Sequence, residues 1–253
     1  MTNRFYRLIL PAAAAAVFCL TPAFAQQRTP KPPEGPAPKT SDGKPDFSGL
    51  WQRPYVPDMS KTSRTGDQKG MAELPFTEWG QNEWKKYDAQ EGDYTGACLP
   101  FGLVRSMNSP DPIQIMQNKT YMSLLYEQNT WFKIIPIDGR PHRKQVATWF
   151  GDSVGKWDGD TLVVDTVNFN GRTRLDTIGH PHSDQLHVIE KFSRPDLGHI
   201  NYEITIDDPK TFTKPWTNTR VFTLRPDWEI MEYSCEENNK SFWEGRIKVP
   251  KYE

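Results

Sequence analysis

The chain has 253 residues, with 31 Lys and Arg against 32 Asp and Glu and a formal net charge of −1. That balance gives no reason to expect nucleic acid or an anionic membrane surface as a partner. The nine Trp, nine Tyr and thirteen Phe read either as a large β-core or as the lining of a cavity in which flat rings grip a sugar face or an aryl ring.

Residues 1–25 carry the marks of a secretory leader. Arg4 and Arg7 start it, Leu8 to Leu20 is apolar and Ala-rich, and Ala23-Phe24-Ala25 is a small-x-small cleavage site. Cleavage after Ala25 predicts a periplasmic or secreted protein. Phe18 is too bulky for Cys19 to be a lipidation site, and no later run reaches the ~20 apolar residues of a spanning helix. Residues 26–45 hold six prolines, Pro30, Pro32, Pro33, Pro36, Pro38 and Pro45, and are expected to be an extended, disordered linker. Residues 46–253 are expected to form a single β-rich domain.

Two cysteines remain in the exported part, Cys98 and Cys235. In an oxidising compartment they are expected to pair; two unrelated buried thiols are the alternative, and no C-x-x-C supports a metal site. Gly49-x-Trp51 opens the domain as lipocalin-like barrels open, with the Trp plugging the closed end; a turn Gly before a core Trp accounts for it equally. Thr77 is placed to cap a helix running to about Ala89, the one N-terminal helix expected. From Ile113 the chain reads as short strands at 113–117, 120–127, 131–137, 146–150, 161–166, 186–193, 200–206, 219–224 and 229–235, rich in β-branched and aromatic residues. Turn signals separate them, Asp158-Gly159 being the clearest hairpin. Trp149-Phe-Gly-Asp-Ser-Val-Gly-Lys-Trp157 is Gly-rich, lacks a Walker pattern, and reads as a bulge or tight connection. Short strands on short turns predict a mainly β fold, an antiparallel barrel or strongly curved, calycin-like sheet.

The chemistry concentrates between Asp176 and Phe192, which holds His180, His182 and His187, three of the five histidines. Period-2 alternation places Glu190 with Leu186, Val188 and Phe192 on one face and His187 with Ile189 and Lys191 on the other. A carboxylate among apolar neighbours has to be paired, hydrogen-bonded or protonated. It therefore reads as a general acid or base, or as half of a structural ion pair with Arg172, Arg174 or Arg220. His180-Pro-His182 resembles the start of a β-barrel metal site, but Glu190 lies too far on for a cupin motif; His187 would have to complete a three-His site. Histidines oriented by Asp184 for acid–base work are the other reading. Asp138-Gly-Arg-Pro-His142 is a hairpin tip that also presents Asp138, Arg140 and His142 together, and Arg140 can clamp an anion. Gly-x-Ser-x-Gly is absent, which removes a serine-hydrolase elbow.

Five motifs carry a resemblance: Cys98-Leu-Pro-x-Gly-x-x-Arg105, Asp138-Gly-Arg-Pro-His142, Trp149-x-Gly-Asp-Ser-x-Gly-x-Trp-x-Gly-Asp-Thr-Leu-Val-Val-Asp165, His180-Pro-His-Ser-Asp-x-Leu-His-Val-x-Glu190 and Asp207-Asp-Pro-x-x-Phe-Thr-Lys-Pro-Trp216. Together they resemble a large group of exported bacterial β-rich proteins. The resemblance implies export, a calycin-like domain, and a shared site in the Asp138–His142 and His180–Glu190 segments, but no particular reaction.

The expected function is an exported small-molecule enzyme using acid–base chemistry without an organic cofactor: a lyase, isomerase or hydrolase on an aryl or glycosidic compound. His182 or Glu190 would move the proton, with His180 beside them and Asp184 orienting. Arg140, Asp138, His142, Arg105 and Trp157 would bind substrate. The alternatives are a non-catalytic lipocalin-like binding barrel, and a metalloenzyme with one divalent ion on His180, His182 and His187.

Overall fold

The computed structural model describes residues 30–88, 93–237 and 239–247, so the leader expected over 1–25 lies outside the described residues. Pro32–Glu253 is the second of the two units into which the chain divides. Ten strands build the second unit: β1 Gly49–Gln52, β2 Gln68–Lys69, β3 Ile113–Gln117, β4 Tyr121–Tyr126, β5 Phe132–Pro136, β6 Asp152–Asp158, β7 Thr161–Val167, β8 His187–Ser193, β9 His199–Asp207 and β10 Trp216–Leu224. Three α-helices accompany them among the described residues, α1 Glu78–Lys85, α2 Leu103–Asn108 and α3 Lys240–Trp243.

The strands make one antiparallel sheet in the order β5-β4-β3-β1-β10-β9-β8-β7-β6, with β2 pairing β10 off that path. This is the expected mainly β architecture, a nearly closed barrel. The seam falls between β5 and β6. There Gly139 N donates to Gly155 O at 3.2 Å, and a Cβ on Gly155 would come within 3.1 Å of Ile137 Cγ2. The glycine in the Trp149–Trp157 stretch therefore lets two backbones approach, and most of that stretch is strand β6 rather than the expected tight connection.

Alternation decides what faces inward. Leu162, Val164 and Thr166 of β7, Val188, Glu190 and Phe192 of β8, and Ile200, Tyr202, Ile204 and Ile206 of β9 are buried, and the residues between them are not. Trp51 is fully buried, its Nε1 donating to Phe47 O and the Arg194 guanidinium lying 4.8 Å over its ring.

The interior also holds charge. Lys133 of β5 and Glu190 of β8 meet at 2.5 Å, both nearly inaccessible, and Tyr202 OH donates to the other Glu190 oxygen at 3.0 Å. Burial pulls the Lys133 pKa down and the Glu190 charge opposes that pull. The arginines expected opposite Glu190 are thus replaced by a lysine from across the seam. Arg53 and Arg220 have another task. Arg53 Nη1 donates to Ser106 O at 2.7 Å and Arg220 Nη1 to Met107 O at 2.6 Å, so two guanidinium groups meet the last-turn carbonyls of α2, where a helix end is electron-rich and unpaired. Desolvation lowers both arginines to about 10. Helix α2 lies in a stretch with no helix signal: six residues without a side-chain cap make a poor helix alone, and tertiary contacts stabilise it.

Elsewhere the expected elements are matched or displaced for local reasons. Thr77 caps α1, its Oγ1 accepting from Gly80 N. The segments at 146–150 and 229–235 are not strands. The first forms only an isolated bridge, Thr148 to Phe169. In the second the backbone turns to side chains, Met231 N donating to Glu127 and Cys235 N to Asn129. Cys98 and Cys235 form the expected disulfide. Residues 32–45, expected to be a disordered spacer, lie against the barrel: Leu197 N donates to Gly35 O, Lys44 Nζ to Gly159 O, and Lys39 pairs with Asp160. Proline-rich backbone keeps its carbonyls free for such contacts and loses little entropy on docking.

The buried pair and the disulfide each have a measurable effect on stability. Lys133→Met or Glu190→Leu alone leaves one buried charge unpaired and is expected to cost about 3–5 kcal/mol in chemical denaturation, whereas the double variant is expected to recover most of that loss. The disulfide closes a separation of 137 residues, and the chain-entropy model gives about 5 kcal/mol for such a loop. The Cys98→Ser/Cys235→Ser variant is expected to show a loss of that order in the same assay.

Candidate functional site

Two of the five histidines share one carboxylate on the outer face of the sheet. Asp165 on β7 lies opposite Ile189 of β8, and the same alternation that turns Glu190 inward turns His187 and Asp165 outward. A diagonal cross-strand contact results: His187 Nε2 is 2.8 Å from Asp165 Oδ2. The other Asp165 oxygen is 2.7 Å from His142 Nε2, and His142 Nδ1 is 3.1 Å from Asp152 Oδ2. His142 is delivered by the loop after β5, which the Gly139–Gly155 contact pins to β6. Asp152, at the start of β6, is buried and also accepts from Arg143 N, Nε and Nη2 and from Gln145 Nε2.

The proton inventory of this cluster is constrained. Ionised carboxylates only accept hydrogen bonds, so the placement of His142 between two of them favours the imidazolium form, in which both ring nitrogens donate. Burial alone would lower its pKa, but hydrogen bonds to Asp165 and then Asp152 outweigh that and raise it. Burial likewise acts to raise both carboxylates. In Asp165 the hydrogen bonds from His187 and His142 overcome it, and in Asp152 those from Arg143 and His142 do; both pKa values are lowered. The chain of groups therefore alternates in sign, Arg143, Asp152, His142, Asp165, and ends at His187. There Nε2 donates to Asp165, while Nδ1 has no hydrogen-bond partner among the described residues. His142, Asp165 and His187 are 28%, 40% and 33% exposed, so a solute can reach them.

The other expected site residues lie elsewhere. Glu190 is sealed in the interior with Lys133. His180 is buried, with Nδ1 2.6 Å from Asp176 and its ring against Trp84 and Phe76. His182 is buried with Nε2 2.6 Å from Thr173 Oγ1 and Nδ1 2.8 Å from Ser183 O, and desolvation lowers its pKa. His180 and His182 thus share no partner, and His187 is on the outer face. Asp184 is exposed; the carboxylates that organise this stretch are Asp176 on His180 and Asp208, which accepts from Ser183 N and Oγ. Arg140 is drawn onto Asp138 in an exposed pair above Tyr121. Trp157 stacks on Phe47 at 5.9 Å, and Arg105 pairs with Asp93 beside a separate cleft. Among the described residues one trio brings ligand atoms close enough for a single ion, Asp58, Asp176 and His180, with those atoms within 4.8 Å of one another. Asp176 already accepts there from the His180 ring and from Met59 N.

Comparison with family models and with curated proteins finds no match. Among solved structures, a "REP1-NXSQ fatty acid transporter" is similar over 73% of this chain and 98% of its own, at 14% identity and a TM-score of 0.35, too distant to carry an argument. No helix among the described residues is long and apolar enough to cross a membrane.

The charge state of His142 can be read directly. Its folded pKa is raised, so its contribution to stability is complete below the ordinary value of about 6.5 and is lost as pH rises through the folded value. In ¹H–¹⁵N NMR titration the His142 ring is expected to titrate above the unfolded value, and Asp152→Asn to move that midpoint down by about one unit. A midpoint unmoved by Asp152→Asn would remove Asp152 from the electrostatics of the cluster.

Proposed function

We propose that this chain is an exported enzyme that moves protons on a small organic molecule at the outer-face His142–Asp165–His187 cluster, without an organic cofactor. One observation carries the reading. A single carboxylate, Asp165, holds the His142 imidazole on one oxygen and the His187 imidazole on the other, with both rings partly exposed to solvent. An imidazole fixed by a carboxylate on one nitrogen, with the other nitrogen left to exchange a proton, is a working unit of acid–base catalysis.

In this reading His187 is the base. Asp165 fixes its Nε2–H tautomer and leaves Nδ1 to accept the substrate proton. The proton taken up at His187 Nδ1 is the one returned to a leaving group or developing alkoxide, while His142, with both ring nitrogens on carboxylates, holds Asp165 in place. Asp152 and Arg143 act through His142 and position it. The toolkit suits a lyase, isomerase or hydrolase. His142, Asp152, Asp165 and His187 all fall within motifs that resemble those of the exported bacterial group, which supports a shared site. The Cys98–Cys235 disulfide supports an oxidising compartment.

Aryl esters, aryl glycosides and β-hydroxy acids, screened as a panel, would identify turnover. With any compound turned over, His187→Gln and Asp165→Asn are each expected to lower kcat by about 10²–10⁴-fold while the thermal transition is retained. His142→Gln is expected to lower kcat less than His187→Gln does, because His142 acts through Asp165. Folded His187→Gln protein with undiminished turnover, or no turnover of any compound in the panel, would sink the assignment.

A further inference from the structure

The outer face of the sheet is uneven in charge. Across β6–β9 its outward positions include Lys156, Asp165, Lys191, Glu203 and Asp207. Across β3–β5 the outward positions hold no charged residue. There the registers set Gln114, Leu125 and Phe132 in one cross-strand row and Met116, Ser123 and Ile134 in the next. Alternation turns all six away from the core. Phe132, Met116 and Ile134 are 63%, 56% and 53% exposed. Single exposed apolar side chains are ordinary, but a contiguous apolar patch with a polar rim marks a contact surface. Loss of charge together with exposed Phe and Met is also the composition of an interface core. Beyond the second row Arg140 lies 5.2 Å over Tyr121 and is already paired with Asp138, which bounds the patch at that end.

What covers this face follows from its self-complementarity. In a two-fold contact the same patch meets itself, so a face of one charge would repel its copy. This one has no charge to repel. Its polar members, Gln114 and Ser123, each offer a donor and an acceptor. Each can therefore bond to its own image, which an ammonium or a carboxylate cannot do. The rim supplies a direction. Lys119 lies between β3 and β4, and Glu127 follows the last residue of β4. A two-fold axis through the Ser123 row sets two β4 strands antiparallel, and Lys119 of each copy then lies over Glu127 of the other. A lipid surface is served instead by basic residues around the apolar ones, and this rim carries both signs. We infer that the outer face of β3–β5 is the interface of a homodimer, in which two copies pack sheet to sheet and bury Met116, Phe132 and Ile134.

The test is sedimentation velocity of the purified chain over a concentration series. A dimer is expected, with a dissociation constant at or below about 100 µM. Phe132→Lys and Ile134→Lys change exposed side chains, so circular dichroism and the thermal transition of the monomer are expected to be retained. Each variant is expected to weaken the dimer about 30-fold or more. Phosphatidylcholine vesicles are the second probe, and the wild-type chain is expected not to bind them. A chain that stays monomeric to about 100 µM, or a dimer undiminished in both folded variants, would overturn the inference. So would a monomer that binds the vesicles and loses that binding in Phe132→Lys, which would assign the face to lipid. None of these results bears on His142, Asp165 or His187.

Discussion

The ion pair between Lys133 and Glu190 sets the terms for the rest of the barrel. Two charges removed from water are tolerable only when they meet each other and their remaining hydrogen-bonding capacity is filled. Here Tyr202 supplies the third partner. Because Lys133 is on β5 and Glu190 on β8, the pair spans the seam between β5 and β6, where backbone pairing gives way to the Gly139–Gly155 contact. A sheet left open at that seam would strand a buried lysine on one side and a buried glutamate on the other. The pair thus demands closure where backbone pairing is weakest, and the Gly155 approach to Ile137 allows it.

Closure in turn makes the outer cluster. Strand alternation is rigid: once Glu190 faces inward, His187 must face outward, and once Val164 and Thr166 are inside, Asp165 is outside. The seam contact at Gly139–Gly155 brings the loop carrying His142 over β6, within reach of Asp152 and Asp165. The buried pair and the exposed cluster are therefore two faces of one register. A slip of one residue on β8 would move the glutamate to solvent and the histidine into the core.

Much of this was legible in the residues. The strands at 113–117, 161–166 and 200–206 announced themselves by β-branched and aromatic content, Thr77 announced its helix cap, and the opposed faces of Glu190 and His187 came from period 2. Other features carried no local mark. The segment at 229–235 has strand-like composition, but its backbone is diverted to Glu127 and Asn129. Six residues of α2 are too few to signal a helix, and the buried Arg53 and Arg220 are what make that helix stable. Asp165 looks like any carboxylate on a solvated strand face until His142 and His187 are set against it.

The amino-acid sequence by itself determined the class of fold, the disulfide partners, the inward and outward faces of each strand and the short list of groups able to move protons. Those properties depend on local periodicity and on the chemistry of single side chains. Which groups meet was decided only by the tertiary structure. Lys133 and Glu190 are 57 residues apart in the chain, and His142 and Asp165 are 23 apart. Strand order and barrel closure bring them together, and a reading of neighbours along the chain assigns His182 to Asp184 where folding gives it Thr173. Contacts of that range depend on how the whole sheet closes, so the pairing of charges, and with it the position of the candidate site, emerges only in three dimensions.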